Sequence, residues 1–145
     1  VFLISDGDVA GAIVAAAPER QAADMLMGIG GTPEGVVAAA ALKCMGGAMQ
    51  GKLYPRNDEE RETLVGTGFD LDQVITIDDL VAGDDAFFAA TGVTNGALLR
   101  GVRYRTDHVI TQSMVMRAKS GTVRYIEGHH QLDKLMRFSQ IDYRS

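Results

Sequence analysis

The sequence predicts an α/β protein: a layered mixed sheet with helices packed on it, followed by antiparallel strands and a C-terminal helix. In the first two thirds, short apolar runs alternate with Ala-rich helical segments, as strands and helices do in α/β folds. In the last third, apolar and polar residues alternate between short turns, which is typical of antiparallel strands. The 145 residues suffice for one domain with its own core.

Two strand-to-helix units open the chain. The uninterrupted apolar run at 1–5 predicts a buried strand, and Asp8 and Thr32 are expected to cap the two helices that follow. Gly11, inside the first helix, predicts close packing of another segment. The predicted elements, in order, are strands at 1–5 and 24–28 with helices at 9–17 and 33–45, a strand at 49–54, a helix at 58–65 capped by Asn57, a strand at 71–77, a helical turn at 79–82, strands at 86–90, 98–105, 109–117 and 122–126, and a final helix at 129–138.

The charge is unevenly distributed. Residues 1–99 hold 15 acids and 5 bases, whereas residues 100–145 hold 4 acids and 9 bases, within a net charge of −5. A basic end suits phosphate or nucleic acid, but these bases are interspersed with acids and apolar residues. We therefore favour a solvated sheet face and expect no nucleic-acid partner.

Cysteine usage and hydropathy indicate the compartment. Cys44 is the only cysteine, which excludes an intrachain disulfide, and its apolar helix predicts a small buried hydrophobe rather than a nucleophile. No apolar run approaches the roughly 20 residues that span a bilayer, and no signal peptide is recognisable. We expect a cytoplasmic protein without membrane contact. A chain that opens with Val-Phe-Leu-Ile, without an initiator Met, is expected to be part of something longer.

Acidic residues lie in both turns that lead into the first two helices. The carboxyl ends of parallel strands leave a crevice into which the following helices direct free N–H groups and the positive ends of their dipoles. Asp6, Asp8 and Glu34 would repel a bare phosphate there, so they suggest either sugar hydroxyls or divalent metal ions that bridge acid and phosphate. This combination predicts a metal-assisted phosphate-ester site.

Simpler roles compete for the same residues. Glu34 is equally well explained as a metal ligand and as an exposed carboxylate favoured by the helix dipole. For Asp8 a simple N-cap is the stronger interpretation, whereas Asp6 has no such structural role. His129 and His130 would point about 100° apart on the predicted helix, which disfavours joint metal ligation. The turn at 91–96 could line the same crevice.

Several longer motifs are specific enough to indicate a protein family. Together they resemble the class II (GlpX-type) fructose-1,6-bisphosphatases of bacteria, the actinobacterial branch most of all. The resemblance covers nearly the whole chain in order. The motifs are Ser5-Asp6-Gly7-Asp8-Val9-Ala10-Gly11-Ala12-Ile13, Gly28-Ile29-Gly30-Gly31-Thr32-Pro33-Glu34-Gly35, Ala90-Thr91-Gly92-Val93-Thr94 and Arg117-Ala118-Lys119-Ser120-Gly121-Thr122-Val123-Arg124.

The resemblance implies a fold of the lithium-sensitive sugar-phosphatase superfamily and a metal-dependent hydrolysis. The 1-phosphate of fructose 1,6-bisphosphate would be removed, giving fructose 6-phosphate and phosphate in gluconeogenesis. Glu34 would bind Mn²⁺ or Mg²⁺, and Asp6, Gly7, Asp8 and Gly31 would contact the substrate. No catalytic residue is assigned, and a homo-oligomer is expected.

The resemblance also implies an incomplete site. Chains of the family are about twice as long, and their N-terminal half carries most of the metal-binding carboxylates, so residues 1–145 would be the C-terminal portion and inactive alone. The missing N-terminal half would be its partner. Asn95 stands where relatives commonly have Asp. Two other functions remain open: a non-catalytic module that binds sugar phosphate or nucleotide, and a purely structural half.

Overall fold

A computed structural model of the chain describes residues 1–5, 7–17 and 23–139. The α/β fold class, with antiparallel strands and a short helix near the C-terminus, is confirmed. Within the described ranges, no helix has the length and apolar character needed to cross a membrane. The elements are α1 (Asp8–Ala16), α2 (Thr32–Met45), β1 (Gln50–Gly51), α3 (Asp58–Gly66), β2 (Ile75–Thr76), α4 (Ile77–Leu80), β3 (Phe87–Thr91), β4 (Arg103–Tyr104), β5 (His108–Arg117), β6 (Thr122–Gln131) and α5 (Leu132–Leu135).

Strand β5 is the centre of the main sheet. It pairs with β6 along one edge and with β3 and β4 along the other, always antiparallel. The β5–β6 hairpin turns at the predicted Lys119-Ser120-Gly121 segment, where Gly121 has φ +57°. Because β6 stays in register with β5 as far as Gln131, it is longer than predicted, and the final helix shrinks to α5.

Helices α1 and α2 pack on each other and against the sheet. Met114 and Met116 of β5 are buried with Ile13 of α1, and the prediction that Cys44 is buried is confirmed. Burial raises the pKa of the Cys44 thiol, which lies 3.5 Å from the Ala86 carbonyl oxygen. A second cluster joins the two helices directly and consists of Ala12, Ala38 and Leu42.

The predicted strands at 1–5 and 24–28 are wrong for the described residues. Neither segment is in a sheet, and most of their large side chains are exposed, Leu3 by 96% and Met27 by 81%. A buried strand needs partners on both sides, and every strand pair in the described part of the chain lies elsewhere. Ile4 and Leu26 nevertheless both lie over Gly11, so the close packing predicted there is confirmed.

Other predicted strands are present but shorter. The segment at 49–54 forms only β1, the one at 71–77 only β2, and the one at 98–105 only β4. The strand predicted at 86–90 is present as β3, but only one face of it is in the core, since Phe88 is buried whereas Phe87 is 65% exposed. Asn57 caps α3 as predicted, since its Oδ1 accepts a hydrogen bond of 2.8 Å from the Glu60 N–H.

Arg117 ties the end of β5 to the segment before β3. Its guanidinium donates two hydrogen bonds to Asp85, at 2.7 and 2.5 Å, and lies 5.0 Å from the centre of the Phe87 ring. Hydrogen bonding to Arg117 holds the pKa of the Asp85 carboxyl below its ordinary value of 3.8. The bidentate geometry fixes the orientation of both side chains.

We predict that Met116→Ala lowers the free energy of unfolding of this chain by about 2–5 kcal/mol, because the substitution leaves a cavity at a fully buried position. The matched substitution Met27→Ala, at an exposed methionine, should change it by no more than about 0.5 kcal/mol. Urea denaturation followed by circular dichroism measures both. Equal losses for the two variants would contradict the placement of Met116 in the core.

Asp85→Asn should destabilise the chain at neutral pH and progressively less as the pH falls below 3.8. The pKa of Asp85 in the folded state lies below 3.8, so the pair stabilises the fold above that pH and loses its effect as the pH falls below it. Asp84→Asn, at an exposed neighbour, is the control. Urea denaturation at pH 7 and at about pH 3 tests this prediction, and a deficit independent of pH would refute it.

Candidate substrate and metal site

Both long helices at the site begin at a glycine. Gly7, with φ +82°, is the N-cap of α1, and Gly31 is the N-cap of α2. The predicted caps Asp8 and Thr32 are therefore wrong by one position, since each is the first residue of its helix. Neither Gly7 nor Gly31 has a side chain that could cap its helix, so the N-cap residues themselves provide no side-chain partner for the first-turn N–H groups.

The two turns meet at Asp8 and Gly30. A Cβ atom built on Gly30 would lie 2.7 Å from Asp8 Oδ2 and 3.7 Å from Asp8 Cγ. The Asp8 carboxylate thus reaches from the start of α1 to the segment that leads into α2. This contact was not predicted from the sequence, although the Gly30-Gly31 pair was a signal that space is limited there.

Glu34 lies next to this contact. Its carboxylate folds back towards the start of its own helix and occupies the space that a Cβ on Gly31 would fill. Gly7, Asp8, Gly31 and Glu34 are all exposed, so Glu34 is not hidden from solvent as a buried ligand would be. The fifth predicted site residue, Asp6, lies outside the described residues.

The carboxylates of Asp8 and Glu34 are not neutralised by bases of the described chain. Several basic side chains there pair with other acids, and none of these ion pairs includes Asp8 or Glu34. The pairs are Lys43–Asp78, Lys52–Asp72, Arg56–Glu60, Arg103–Glu127 and Arg117–Asp85, together with the histidine contacts His108–Asp107 and His129–Glu127.

A complete metal site is absent from the part of the chain that the structure describes. No group of three or more His, Cys, Asp and Glu side chains lies close enough there to hold a metal ion. Mg²⁺ prefers six oxygen ligands in near-ideal octahedral geometry, some of them water. The Glu34 carboxylate is the kind of ligand that such a shell contains, but it does not form the shell alone.

His129 and His130 lie in β6 and not in the predicted helix. Successive residues of a strand point to opposite faces, so the two rings have different partners. His129 Nε2 is 2.9 Å from Glu127 Oε1, and its ring stacks on His108 with centroids 6.0 Å apart. His129, and to a lesser extent Arg103, lower the pKa of Glu127. His130 Nε2 is 2.9 Å from Thr111 Oγ1.

The Gly/Thr-rich turn after β3 contacts the segment that precedes β4. Asn95 Oδ1 accepts a hydrogen bond of 3.0 Å from the Gly101 N–H, and the Val102 N–H donates to the Val93 carbonyl at 3.1 Å. An aspartate oxygen could accept the same bond as Asn95 does. Asn95 is therefore compatible with this loop structure.

A shallow depression lies between β4, β5, β6 and α5, away from the two glycine turns. Its lining is mostly apolar and contains no acidic side chain. His130 on its wall is already bonded to Thr111. The depression therefore lacks the carboxylates on which the predicted chemistry depends.

Comparison with known proteins places this geometry in a family. Residues 1–130 match the sequence profile described as "Bacterial fructose-1,6-bisphosphatase, glpX-encoded". The chain is 39% identical over 154 aligned positions to "Fructose-1,6-bisphosphatase class 2" of Haemophilus influenzae, covering 97% of this chain and 46% of that protein. It is 37% identical over 147 positions to "Fructose-1,6-bisphosphatase 1 class 2" of Escherichia coli K12, covering 92% and 44%.

The chain thus spans a little under half the length of the curated relatives it matches. The profile match, in contrast, covers most of this chain and includes both glycine turns. The sequence resemblance to this family is confirmed. This chain belongs to the bacterial, glpX-encoded fructose-1,6-bisphosphatase family.

Proposed function

We propose that this chain supplies part of the active site of a fructose-1,6-bisphosphatase that releases the 1-phosphate of fructose 1,6-bisphosphate. The match of residues 1–130 to the family carries this proposal. The Asp8 and Glu34 carboxylates support it, since they lie beside two helix starts and have no basic partner among the described residues. The chain is the C-terminal portion of the enzyme, and its unpaired Cys44 suits a reducing, cytoplasmic compartment. The expected homo-oligomer stays a prediction.

Substrate binding would use both kinds of group that the turns present. The N–H groups and dipoles at the starts of α1 and α2 attract phosphate oxygens. The Asp6 and Asp8 carboxylates accept hydrogen bonds from sugar hydroxyls. Gly7 has open space where a side chain would stand, so the sugar phosphate could approach its backbone closely. Gly31 would contact the substrate beside the Glu34 carboxylate, which fills the space at its own missing side chain.

Glu34 would provide one ligand to Mg²⁺ or Mn²⁺ in the complete enzyme. Since the described residues do not complete a coordination shell, the other ligands would come from the N-terminal half. The 145-residue chain would then be inactive alone, even though it holds part of the substrate site.

The N-terminal half would also cover an exposed apolar surface on this chain. This surface consists of residues 1–4 and 25–29, which run together over α1 because Ile4 and Leu26 share the space beside Gly11. Contiguous apolar surface of this kind marks an interaction site. Both segments were predicted as buried strands, and strands supplied by the N-terminal half would bury them.

Replacing Glu34 by Gln in the full-length enzyme should reduce metal-dependent phosphate release from fructose 1,6-bisphosphate by at least about tenfold, because an amide is a poorer metal ligand than a carboxylate. Glu62→Gln, at an exposed glutamate of α3, is the matched control and should keep wild-type activity. Phosphate release is assayed with and without Mn²⁺ or Mg²⁺, on sedoheptulose 1,7-bisphosphate and inositol monophosphate as well.

Near-normal turnover by Glu34→Gln would remove Glu34 from the mechanism. Metal-dependent release of phosphate by the isolated 145-residue chain would overturn the proposal that it is an incomplete site. Calorimetric binding of sugar phosphate by the full-length protein that a chelator leaves unchanged, without any phosphate release, would instead favour the non-catalytic binding module.

Methionine oxidation should report whether the apolar surface is covered. In the isolated chain, dilute peroxide should oxidise Met25 and Met27 first, because they are 70% and 81% exposed. In the full-length enzyme these two should be protected, whereas Met114 and Met116 should resist oxidation in both proteins. Mass spectrometry of peptides measures each site, and equal oxidation of Met25 and Met27 in the two proteins would show that nothing covers this surface.

A further inference from the structure

The absence of a side chain at residue 30 leaves room for the Asp8 carboxylate. A Cβ on Gly30 would lie 2.7 Å from Asp8 Oδ2, whereas a Cβ on Gly28, two residues earlier, would meet nothing within 4 Å. Optimal contacts between carbon atoms begin at about 3.5 Å. The Asp8 carboxylate therefore could not keep its present position beside an alanine at residue 30.

Backbone torsion does not explain the glycine at this position. Positive φ angles occur at Gly7 and Gly46, among others, but not at Gly30. The torsion angles of residue 30 are accordingly open to alanine, and only the contact with Asp8 opposes that substitution. Gly31 similarly leaves room for the Glu34 carboxylate. Because it is also the N-cap of α2, a substitution at Gly31 would change both features at once.

We propose that Gly30 is a positioning residue that sets the direction of the Asp8 carboxylate at the substrate site. The inference rests on the proposed function, in which Asp8 contacts the sugar phosphate. The carboxylate is the free end of a short side chain at the exposed start of α1, so an added methyl group displaces it and leaves the backbone in place. Displacement by roughly 0.7 Å or more restores an ordinary contact distance.

The kinetic consequence should be specific. In the full-length enzyme, Gly30→Ala should lower kcat/KM by about tenfold, mostly through a higher KM, because a misdirected carboxylate weakens substrate binding. The thermal unfolding midpoint should not change. Gly66→Ala, at an exposed glycine of α3 with open space around the new methyl group, is the matched control and should keep wild-type kinetics.

A double-mutant cycle tests whether Gly30 acts through Asp8. In an Asp8→Ala background the carboxylate is absent, so Gly30→Ala should cause no further loss in kcat/KM. Additive losses would overturn the proposal, since they would mean that Gly30 acts on something other than Asp8. An unchanged KM in Gly30→Ala would overturn it as well.

Carbon-13 NMR of labelled aspartate provides a readout that does not depend on activity. The Cγ resonance of Asp8, identified by its loss in Asp8→Ala, should shift in Gly30→Ala and not in Gly66→Ala. A stationary resonance would overturn the positioning role whatever the kinetics. If the resonance shifts in Gly30→Ala but the wild-type enzyme does not hydrolyse fructose 1,6-bisphosphate, the contact is supported and the proposed function is rejected. The two failures are therefore distinguishable.

Discussion

The packing of α1 against α2 is the interaction on which the candidate site depends. Small side chains at the contact, such as Ala12 and Ala38, let the two helices approach closely. At the other end of the contact, a Cβ on Gly47 would lie only 3.3 Å from the Ala16 Cβ. This approach brings the two helix starts side by side, with the Asp8 carboxylate reaching the turn before α2. A larger residue at the contact would separate the helices, and the two turns would no longer form one surface.

The sheet centred on β5 supports this helix pair, and it was the most predictable part of the fold. The sequence of β5 alternates as a strand does, since Met114 and Met116 face the helices and Val115, between them, points to the other face. Strands β5 and β6 follow each other in the sequence, so each provides the pairing partner of the other within the same short segment. The predicted end of β6 was wrong because pairing with β5 holds residues 127–131 extended, against the helical tendency inferred from their sequence.

Residues 1–4 and 25–29 show what sequence pattern could not settle. Their apolar runs indicate segments that favour burial, but a strand forms only when neighbouring strands pair with it, and the described chain provides none for them.

The candidate site was more predictable in composition than in geometry. The acids and glycines were identified by residue type and position, whereas the contact of Asp8 with Gly30 depends on the distance between α1 and α2, which no local pattern encodes.

Steric fit, and not charge pairing, fixes the site carboxylates in the described chain. Asp8 and Glu34 take no part in its ion pairs, and each fits into space left by a glycine. Both carboxylates are exposed, so a divalent cation or the hydroxyls of a sugar could bind to them. Pairing with a lysine or arginine would consume the lone pairs that such a ligand needs. The proposed site therefore has accessible acids in the described chain, and in that proposal further groups would complete it.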